Sequence, residues 1–205
     1  MRNILYKIIR KINFIYHSLF VKAASSFYYV YFHLLGIKCG KSLKVCNRLS
    51  VHLTEGSNIY IGNNCHFISN SYFNHLGIQH SCILSTETPH ATISIGNSCG
   101  FSGTSINCFC SIKIGNHVRF GANTKILDGD FHLDDPRTPA PKPIIIENNV
   151  WLGGGVVVMK GVTIGENSII GMNSIVTKSI PANVIAAGNP CKVIKHIDIA
   201  AHHIP

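Results

Sequence analysis

The fold is decided by a stretch in which a large aliphatic residue returns at every sixth position. From position 146 it reads IENNVWLGGGVVVMKGVTIGENSIIGMNSIV, ending at position 176. The residues six apart are Ile146, Leu152, Val158, Ile164, Ile170 and Val176. A six-residue period is neither the 3.6-residue period of an amphipathic helix nor the two-residue alternation of a half-buried strand. It predicts a solenoid in which three short strands form each triangular coil, with the aliphatic side chains inside.

Glycine and asparagine mark the corners of the predicted coils. An Ile-Gly step followed by Asn, or by Glu-Asn, begins at Ile61, Ile95, Ile114 and Ile164. Both residue types tolerate the unusual backbone angles that a sharp corner needs. The 34 residues from Ile61 to Ile95 are close to two coils of 18 and are interpreted as two coils.

A polar, proline-rich stretch interrupts the regular succession of coils after Ile114. The distance from Ile114 to Ile146 is 32 residues, which is one coil of 18 and 14 more. The surplus matches positions 128–143, which read DGDFHLDDPRTPAPKP. Because this stretch is polar and contains four prolines, it is predicted to leave the coil as a loop, and such loops commonly carry function.

The positive charge of the chain is concentrated at one end. Positions 1–50 contain nine Lys or Arg residues and no Asp or Glu, whereas the remaining positions hold nine residues of each sign. A protein that binds nucleic acid usually spreads its positive charge over the binding face. The distribution therefore argues against nucleic acid as a partner.

Residues 1–36 are predicted to form a basic amphipathic helical segment. The aliphatic residues at helical spacing are Ile4, Leu5, Ile8, Ile9, Ile12, Ile15 and Leu19, with the basic residues mostly opposite. Such a segment suits an anionic membrane surface; the alternative is a cap over the open end of the solenoid or a contact with a neighbour. The longest uncharged run, Ala23–Ile37, has 15 residues, fewer than the ~20 that span a bilayer. We therefore expect a cytoplasmic protein that is either free or peripheral at the inner face of the membrane.

The eight cysteines are not spaced as a disulfide framework or as a metal site. There is no CxxC pair, and Cys65, Cys82 and Cys99 recur at intervals of 17. This spacing indicates a stack of buried thiols in a reduced protein.

The segment from about Ile93 to Ile197, half of the chain, resembles the hexapeptide-repeat O-acetyltransferases. This family includes the galactoside and maltose acetyltransferases and the acetyltransferases that modify capsule and lipopolysaccharide. The resemblance is densest from position 146 to 195, and the run DGDFHLDD is similar to an acidic-aromatic-His motif of the polysaccharide-modifying branch.

The resemblance implies an all-β fold, a left-handed parallel β-helix over residues 37–188, after the helical segment 1–36. Residues 189–205 are expected to form a short helix or tail. The resemblance also implies a homotrimer with active sites between subunits, acetyl-CoA as co-substrate and no metal. The implied acceptor is a sugar hydroxyl, on a polysaccharide or glycolipid precursor.

His132 in the 128–143 loop is the candidate general base. Imidazole changes its charge near neutral pH and can take the proton of a hydroxyl group as that group attacks. Asp130 is the candidate partner that orients the ring, although a backbone carbonyl would serve equally well. Asn107 and Asp128 are assigned to the acceptor.

The donor is assigned to a second set of residues, which the resemblance supplies. Gly153, Gly154 and Gly155 would also let a thioester approach the backbone N–H groups. Lys192 and Lys195 stand where Arg is frequent in the galactoside enzymes and provide charge without its planar fork. The residues expected to bind the cofactor are Trp151, Gly154, Met172, Thr177, Lys178, Lys192 and Lys195.

Three other functions remain open. An amine acceptor would make the protein an N-acetyltransferase of an amino sugar, although residues 1–50 show no nucleotide-binding fingerprint. The γ-type carbonic anhydrases share the solenoid and bind zinc through histidines, for which His75 and His80 are spaced suggestively. A scaffold without catalysis is the third alternative, because the fold alone does not fix a function.

Overall fold

The computed structural model describes residues 2–132 and 134–198. It consists of one long helix, α1 (Arg2–Leu34), followed by a solenoid of short parallel strands. The strands form three sheets, one for each side of a triangular coil. The predicted β-helix is confirmed.

As far as the eighteenth strand, the strands of the three sheets follow one another in rotation along the chain, and the last two strands both belong to sheet B. Sheet A contains β1 (Lys38–Cys39), β4 (Asn58–Ile61), β7 (Thr92–Ile95), β10 (Ser111–Ile114), β13 (Ile144–Ile146) and β16 (Thr163–Ile164). Sheet B contains β2 (Lys44–Cys46), β5 (His66–Ile68), β8 (Gly100–Ser102), β11 (Arg119–Phe120), β14 (Trp151–Leu152), β17 (Ile169–Ile170), β19 (Val184–Ala187) and β20 (Lys192–His196). Sheet C contains β3 (Leu49–His52), β6 (Cys82–Thr86), β9 (Ser105–Cys108), β12 (Lys125–Leu127), β15 (Val157–Val158) and β18 (Ile175–Val176).

The core runs along the axis of the coil. The six aliphatic residues of the sequence period are all fully buried, as predicted. Phe67, Phe101 and Phe120 stack on successive coils of sheet B, with ring centroids 4.7 and 4.6 Å apart. Such continuous burial lets each coil complete the core of the next, which is why the repeat is stable only as a stack.

The cysteines of the repeat are buried and free, but they do not form a single stack. Cys65 and Cys99 occupy equivalent positions before β5 and β8, and each thiol donates a hydrogen bond to a glycine carbonyl oxygen of the next coil, Gly96 and Gly115 respectively. Cys82 lies on sheet C, in β6. The interval of 17 is therefore a coincidence for Cys82, since an insertion precedes it.

The interpretation of residues 61–95 as two coils is wrong. Ile61 pairs directly with Ile95 across β4 and β7, so the two residues are one coil apart. The surplus residues leave the solenoid between β5 and β6, at the corner between sheets B and C. We call residues 69–81 the strap.

The chain also departs from the coil between Ile114 and Ile146, the interval in which the sequence predicts a loop at residues 128–143. Ile114 pairs with Ile146 across β10 and β13, so these residues are also one coil apart. The loop leaves between β12 and β13, at the corner between sheets C and A. The solenoid thus carries two long insertions on two different corners.

The second half of α1 covers the open end of the first coil. Phe32 and Tyr28 are buried there. The Tyr28 hydroxyl accepts a hydrogen bond from the backbone N–H of Leu49 at 2.8 Å, and the Ser25 hydroxyl accepts one from Val45 at 3.0 Å. This half of the predicted helix is therefore a cap. Within the described residues, no helix is both long enough and apolar enough to cross a bilayer.

The C-terminal segment differs from the prediction of a helix or tail. Residues Lys192–His196 form β20, which pairs antiparallel with β19 and ends sheet B. Residues 199–205 lie outside the described part of the chain. In sheet B, β20 occupies the edge that a strand of another parallel coil would use.

Candidate active site

The 128–143 loop is fixed at its first residue by a buried carboxylate. Asp128 is fully buried and accepts hydrogen bonds from the backbone N–H groups of Phe109 (2.5 Å), Cys110 (3.0 Å) and Ser111 (2.7 Å). Three amides that converge in one turn form a nest for an anion. The assignment of Asp128 to the acceptor is therefore wrong, because the carboxylate is enclosed and fully used inside the protein.

Burial and the same carboxylate raise the pKa of two neighbouring thiols. Burial, then the hydrogen bond and negative charge of Asp128, raises the pKa of Cys110 to about 11. The pKa of Cys108 is raised further, first by burial and then by the charge of Asp128. Both thiols therefore stay protonated at neutral pH and serve the structure of the turn.

His132 lies four residues after Asp128 in the same loop and projects into solvent. The loop residue before it, Phe131, contacts Phe109 edge to face, with ring centroids 5.2 Å apart. His132 is exposed, and no described residue donates a hydrogen bond to its ring or accepts one from it. Both nitrogens of the exposed imidazole are therefore accessible.

Asp130 forms an ion pair with a lysine and not with His132. Its carboxylate lies 2.5 Å from Nζ of Lys160, which also donates to the carbonyl oxygen of Pro139 at 2.7 Å. Lys160 follows β15, one coil after the root of the loop. Asp130 thus ties the loop to the next coil, and within the described residues it does not orient the imidazole.

Asn107 lies beside the root of the loop. It alternates with the inward-facing Ile106 and Cys108 on β9, so its side chain faces outward, and it pairs in register with Leu127 at the end of β12. No described residue hydrogen bonds to its side-chain amide. Asn107 therefore remains a candidate contact for a polar ligand that reaches His132.

A cavity of about 320 Å³ lies at the corner between sheets B and C. Gly154 and Met172, both assigned to the donor, line it together with Leu76 and Gln79 of the strap. Asn123 holds the strap in place, because its Oδ1 accepts from Gln79 N and its Nδ2 donates to Gly77 O, each at 2.9 Å. The strap residues escape sequence reasoning because the length of the insertion imitates a coil.

The three consecutive glycines at this corner have different roles. A side chain at Gly153 would collide with the backbone of Met172, and Gly155 has a positive φ of 68°. Gly154 has an ordinary φ, and its added Cβ would first meet the Leu76 side chain at 3.1 Å. The N–H groups of Gly153 and Gly155 donate to Ile170 and Ala122, which leaves the Gly154 N–H outside these bonds. Gly154 is the position that opens toward a ligand.

The other residues assigned to the donor are not gathered with Gly154 in one chain. Trp151 is half exposed on the outer side of sheet B. Thr177 and Lys178 are exposed at the corner between sheets C and A, and Lys192 and Lys195 are exposed on β20. A single chain therefore presents fragments of the expected donor site on three different surfaces.

The histidines of the suggested zinc site lie on the strap. His75 is exposed, and Nδ1 of His80 lies 2.9 Å from the carbonyl oxygen of Ser81. Among residues 2–132 and 134–198, no three His, Cys, Asp or Glu side chains are grouped so as to hold a metal ion.

Comparison with known proteins identifies the repeat. Residues 143–178 match the family model of the bacterial transferase hexapeptide, six repeats. The chain is 49% identical over 92 residues to the galactoside O-acetyltransferase of Lactococcus lactis, covering 42% of this chain and 44% of that protein. It is 61% identical over 61 residues to the galactoside O-acetyltransferase of Escherichia coli, covering 30% of each. The chain thus spans less than half the length of these curated relatives.

Solved structures with the same fold cover more of the chain. AntD, an N-acyltransferase from Bacillus cereus, in complex with dTDP and 3-hydroxybutyryl-CoA, superimposes with a TM-score of 0.61. It is 21% identical in sequence, and the match covers 81% of this chain and 86% of that one. The solenoid is the left-handed parallel β-helix of such enzymes. In its repeated hexapeptide and its three-sided coil, this chain is thus similar to the hexapeptide-repeat transferases.

Proposed function

We propose that the protein transfers an acetyl group from acetyl-CoA to a sugar hydroxyl, with His132 as general base. The observation that carries the proposal is the imidazole itself, which is exposed on an insertion anchored by Asp128 and has both ring nitrogens accessible. The identity with galactoside O-acetyltransferases, over 92 and 61 residues, supports an O-acyl transfer. The complex of AntD with 3-hydroxybutyryl-CoA supports an acyl-CoA donor, since the two proteins share the solenoid.

The proposed reaction needs one base and one oxyanion donor. His132 takes the proton of the acceptor hydroxyl while its oxygen forms a bond to the thioester carbonyl carbon. The Gly154 N–H is the candidate donor to the oxyanion, because its two neighbouring N–H groups are already bonded. The carbon–sulfur bond then breaks, and the imidazolium returns the proton to the departing CoA thiolate. Asn107 is the proposed contact for another polar group of the sugar.

The proposed enzyme is a homotrimer with each site between two subunits. In one chain the His132 loop leaves the corner between sheets C and A, whereas the Gly154 cavity lies at the corner between sheets B and C. Neighbouring subunits of a three-fold assembly would bring one corner of each against the other. The low share of charged residues, 13%, is consistent with a surface that is covered by sister subunits.

We also propose that α1 attaches the protein to an anionic membrane surface. One face of the helix, which we call the outer face, is apolar and exposed along its whole length. Its exposed large apolar residues follow one another at intervals of three or four positions, except that Leu19 and Phe27 are eight positions apart with Ala23 midway between them. These residues are Leu5, Ile8, Ile12, Tyr16, Leu19, Phe27, Val30 and Leu34. At 100° per residue, Lys7, Arg10 and Lys11 fall outside this face, where they can meet anionic headgroups. An acceptor that is a polysaccharide or glycolipid precursor would be found at such a surface.

The test of the catalytic proposal is the change of His132 to Ala. Purified protein is assayed for thiol release from acetyl-CoA with a panel of mono- and oligosaccharides, and products are identified by mass spectrometry. Loss of a general base is expected to lower kcat by about 10²- to 10⁴-fold with little change in the melting temperature.

His33 provides a matched control because it is also exposed but lies at the end of α1. His33→Ala is expected to keep full activity. Acceptor-dependent thiol release that survives in His132→Ala would overturn the assignment. Acetylation of amino sugars alone would replace the hydroxyl acceptor with an amine.

A further inference from the structure

A large cavity separates the middle of α1 from the first coil. Its volume is about 920 Å³, within the range of about 300–1,000 Å³ that small-molecule sites occupy. Phe14 and Val21 of the helix, Leu43 of the coil, and Tyr72 and Phe73 of the strap line it. The cavity is remote from His132, which lies on a loop three coils away.

The helix is held over this cavity at two points. At one end Ser25 and Tyr28 bond to β2 and β3 of the first coil, through Val45 and Leu49. At the other end His17 stacks on Tyr72, with ring centroids 3.6 Å apart. Protein interiors are normally filled to the density of organic crystals. The two contacts therefore hold open a space that is not filled by packed side chains.

The charges around the cavity select the kind of occupant. Lys22 and Lys44 line it, and none of its described lining residues is acidic. The first acidic residue in the sequence is Glu55. His66, the partner of Lys44 in β5, has a pKa lowered by burial and then by the positive charge of Lys44. Among the described residues that line the cavity, none therefore neutralises this positive charge.

We infer that the cavity binds one acyl chain of an anionic phospholipid, whose phosphate lies against Lys22 and Lys44. The apolar wall accommodates the chain, and the lysines and the hydroxyl groups of Ser18, Ser26 and Ser42 meet the phosphate and its ester oxygens. This site is separate from the outer face of α1, which points away from the solenoid. It does not depend on the proposed acetyl transfer.

The binding of a soluble fluorescent lysophosphatidate, below its critical micelle concentration, tests this inference on the full-length protein. Saturable binding of one molecule per chain is expected. Val21→Trp fills the cavity and should weaken binding by about tenfold or more, since the side chain faces open space and not packed core. The double change of Lys22 and Lys44 to Gln should weaken binding of the anionic probe by a similar factor but leave the uncharged monoacylglycerol analogue unaffected.

Two matched controls separate this cavity from the rest of α1. Changing Lys7 and Lys11 to Gln removes the same charge from the exposed part of the helix and should leave binding of the soluble probe unchanged. Ile12→Asp disrupts the outer face, and should abolish sedimentation with phosphatidylglycerol vesicles without changing binding of the soluble probe.

Three results would contradict the inference. The first is non-saturable binding of the probe to the wild-type chain. The second is equal weakening by Val21→Trp and Ile12→Asp, which would place the lipid on the outer face. The third is a lower oligomeric mass of Val21→Trp in analytical ultracentrifugation, which would show that a second copy fills the cavity. His132→Ala should bind the probe normally, so a failure of the catalytic proposal is distinguishable from a failure of this one.

Discussion

At the scale of single residues, Asp128 accepts hydrogen bonds from three backbone amides. The amides belong to Phe109, Cys110 and Ser111, and the carboxylate is fully buried. Asp128→Ala is therefore expected to lower the free energy of unfolding by at least about 3 kcal/mol, because each bond to a charged acceptor contributes about 1.5–3 kcal/mol. Urea denaturation at one fixed protein concentration measures the change, since oligomer stability depends on concentration.

The exposed Asp134 of the same loop is the control for this prediction. Asp134→Ala is expected to change the free energy of unfolding by less than about 0.5 kcal/mol. The thiol of Cys110 gives a second readout, because Asp128 contributes to its pKa of about 11. Asp128→Asn removes that charge, so the pKa falls, more thiolate is present near pH 9, and alkylation of Cys110 becomes faster. An unchanged rate, with Cys110→Ser as background, would argue against the nest.

At the scale of elements, the strap decides what fits beside Gly154. Leu76 is 60% exposed and borders the cavity that Met172 also lines. If the acyl group of the donor lies there, Leu76→Ala enlarges the space and raises kcat/KM for butyryl-CoA relative to acetyl-CoA. The expected increase is roughly tenfold, which is the scale of discrimination for a methylene group in an apolar pocket.

Leu34→Ala makes the same chemical change on the exposed end of α1 and should leave the preference for acetyl-CoA unaltered. Because Leu76 is largely exposed, its truncation should leave the melting temperature nearly unchanged. A ratio of butyryl-CoA to acetyl-CoA activity that is the same in both variants would place the acyl group elsewhere.

The elements also show how far a six-residue period reaches. The six-residue repeat from Ile146 to Val176 has no insertion. The coil, its buried positions and the 128–143 loop can therefore be predicted from the spacing of the aliphatic residues alone. The strap does not, because 34 residues between Ile61 and Ile95 can be two short coils or one coil with a surplus of 16. Only the pairing of β4 with β7 distinguishes them. The role of Asp128 escapes prediction for a related reason, since the turn at Phe109 is remote from it in sequence.

At the scale of the whole molecule, the two halves of the proposed site are predicted to come from different subunits. Gly154→Leu should fill the cavity at the corner between sheets B and C and abolish activity without breaking the coil, because the position has an ordinary φ and its side chain would meet only the flexible Leu76 first. His132→Ala should abolish activity by removing the proposed base, which lies on the loop at the corner between sheets C and A. Each homotrimer alone is therefore expected to be inactive.

Mixing the two inactive chains tests how the site is assembled. After unfolding and refolding at equal concentrations, a site built from His132 of one subunit and Gly154 of its neighbour is intact at about one quarter of the interfaces. Activity near one quarter of the wild-type value is expected, measured per trimer after gel filtration.

The control is a chain that carries both substitutions, refolded with an equal amount of wild-type chain. It should also give about one quarter of the activity, because the two subunits at each interface are again chosen independently. If each site instead lay within one chain, the first mixture would be inactive and the control would retain about half of the activity, since the surviving wild-type chains would keep their sites whole.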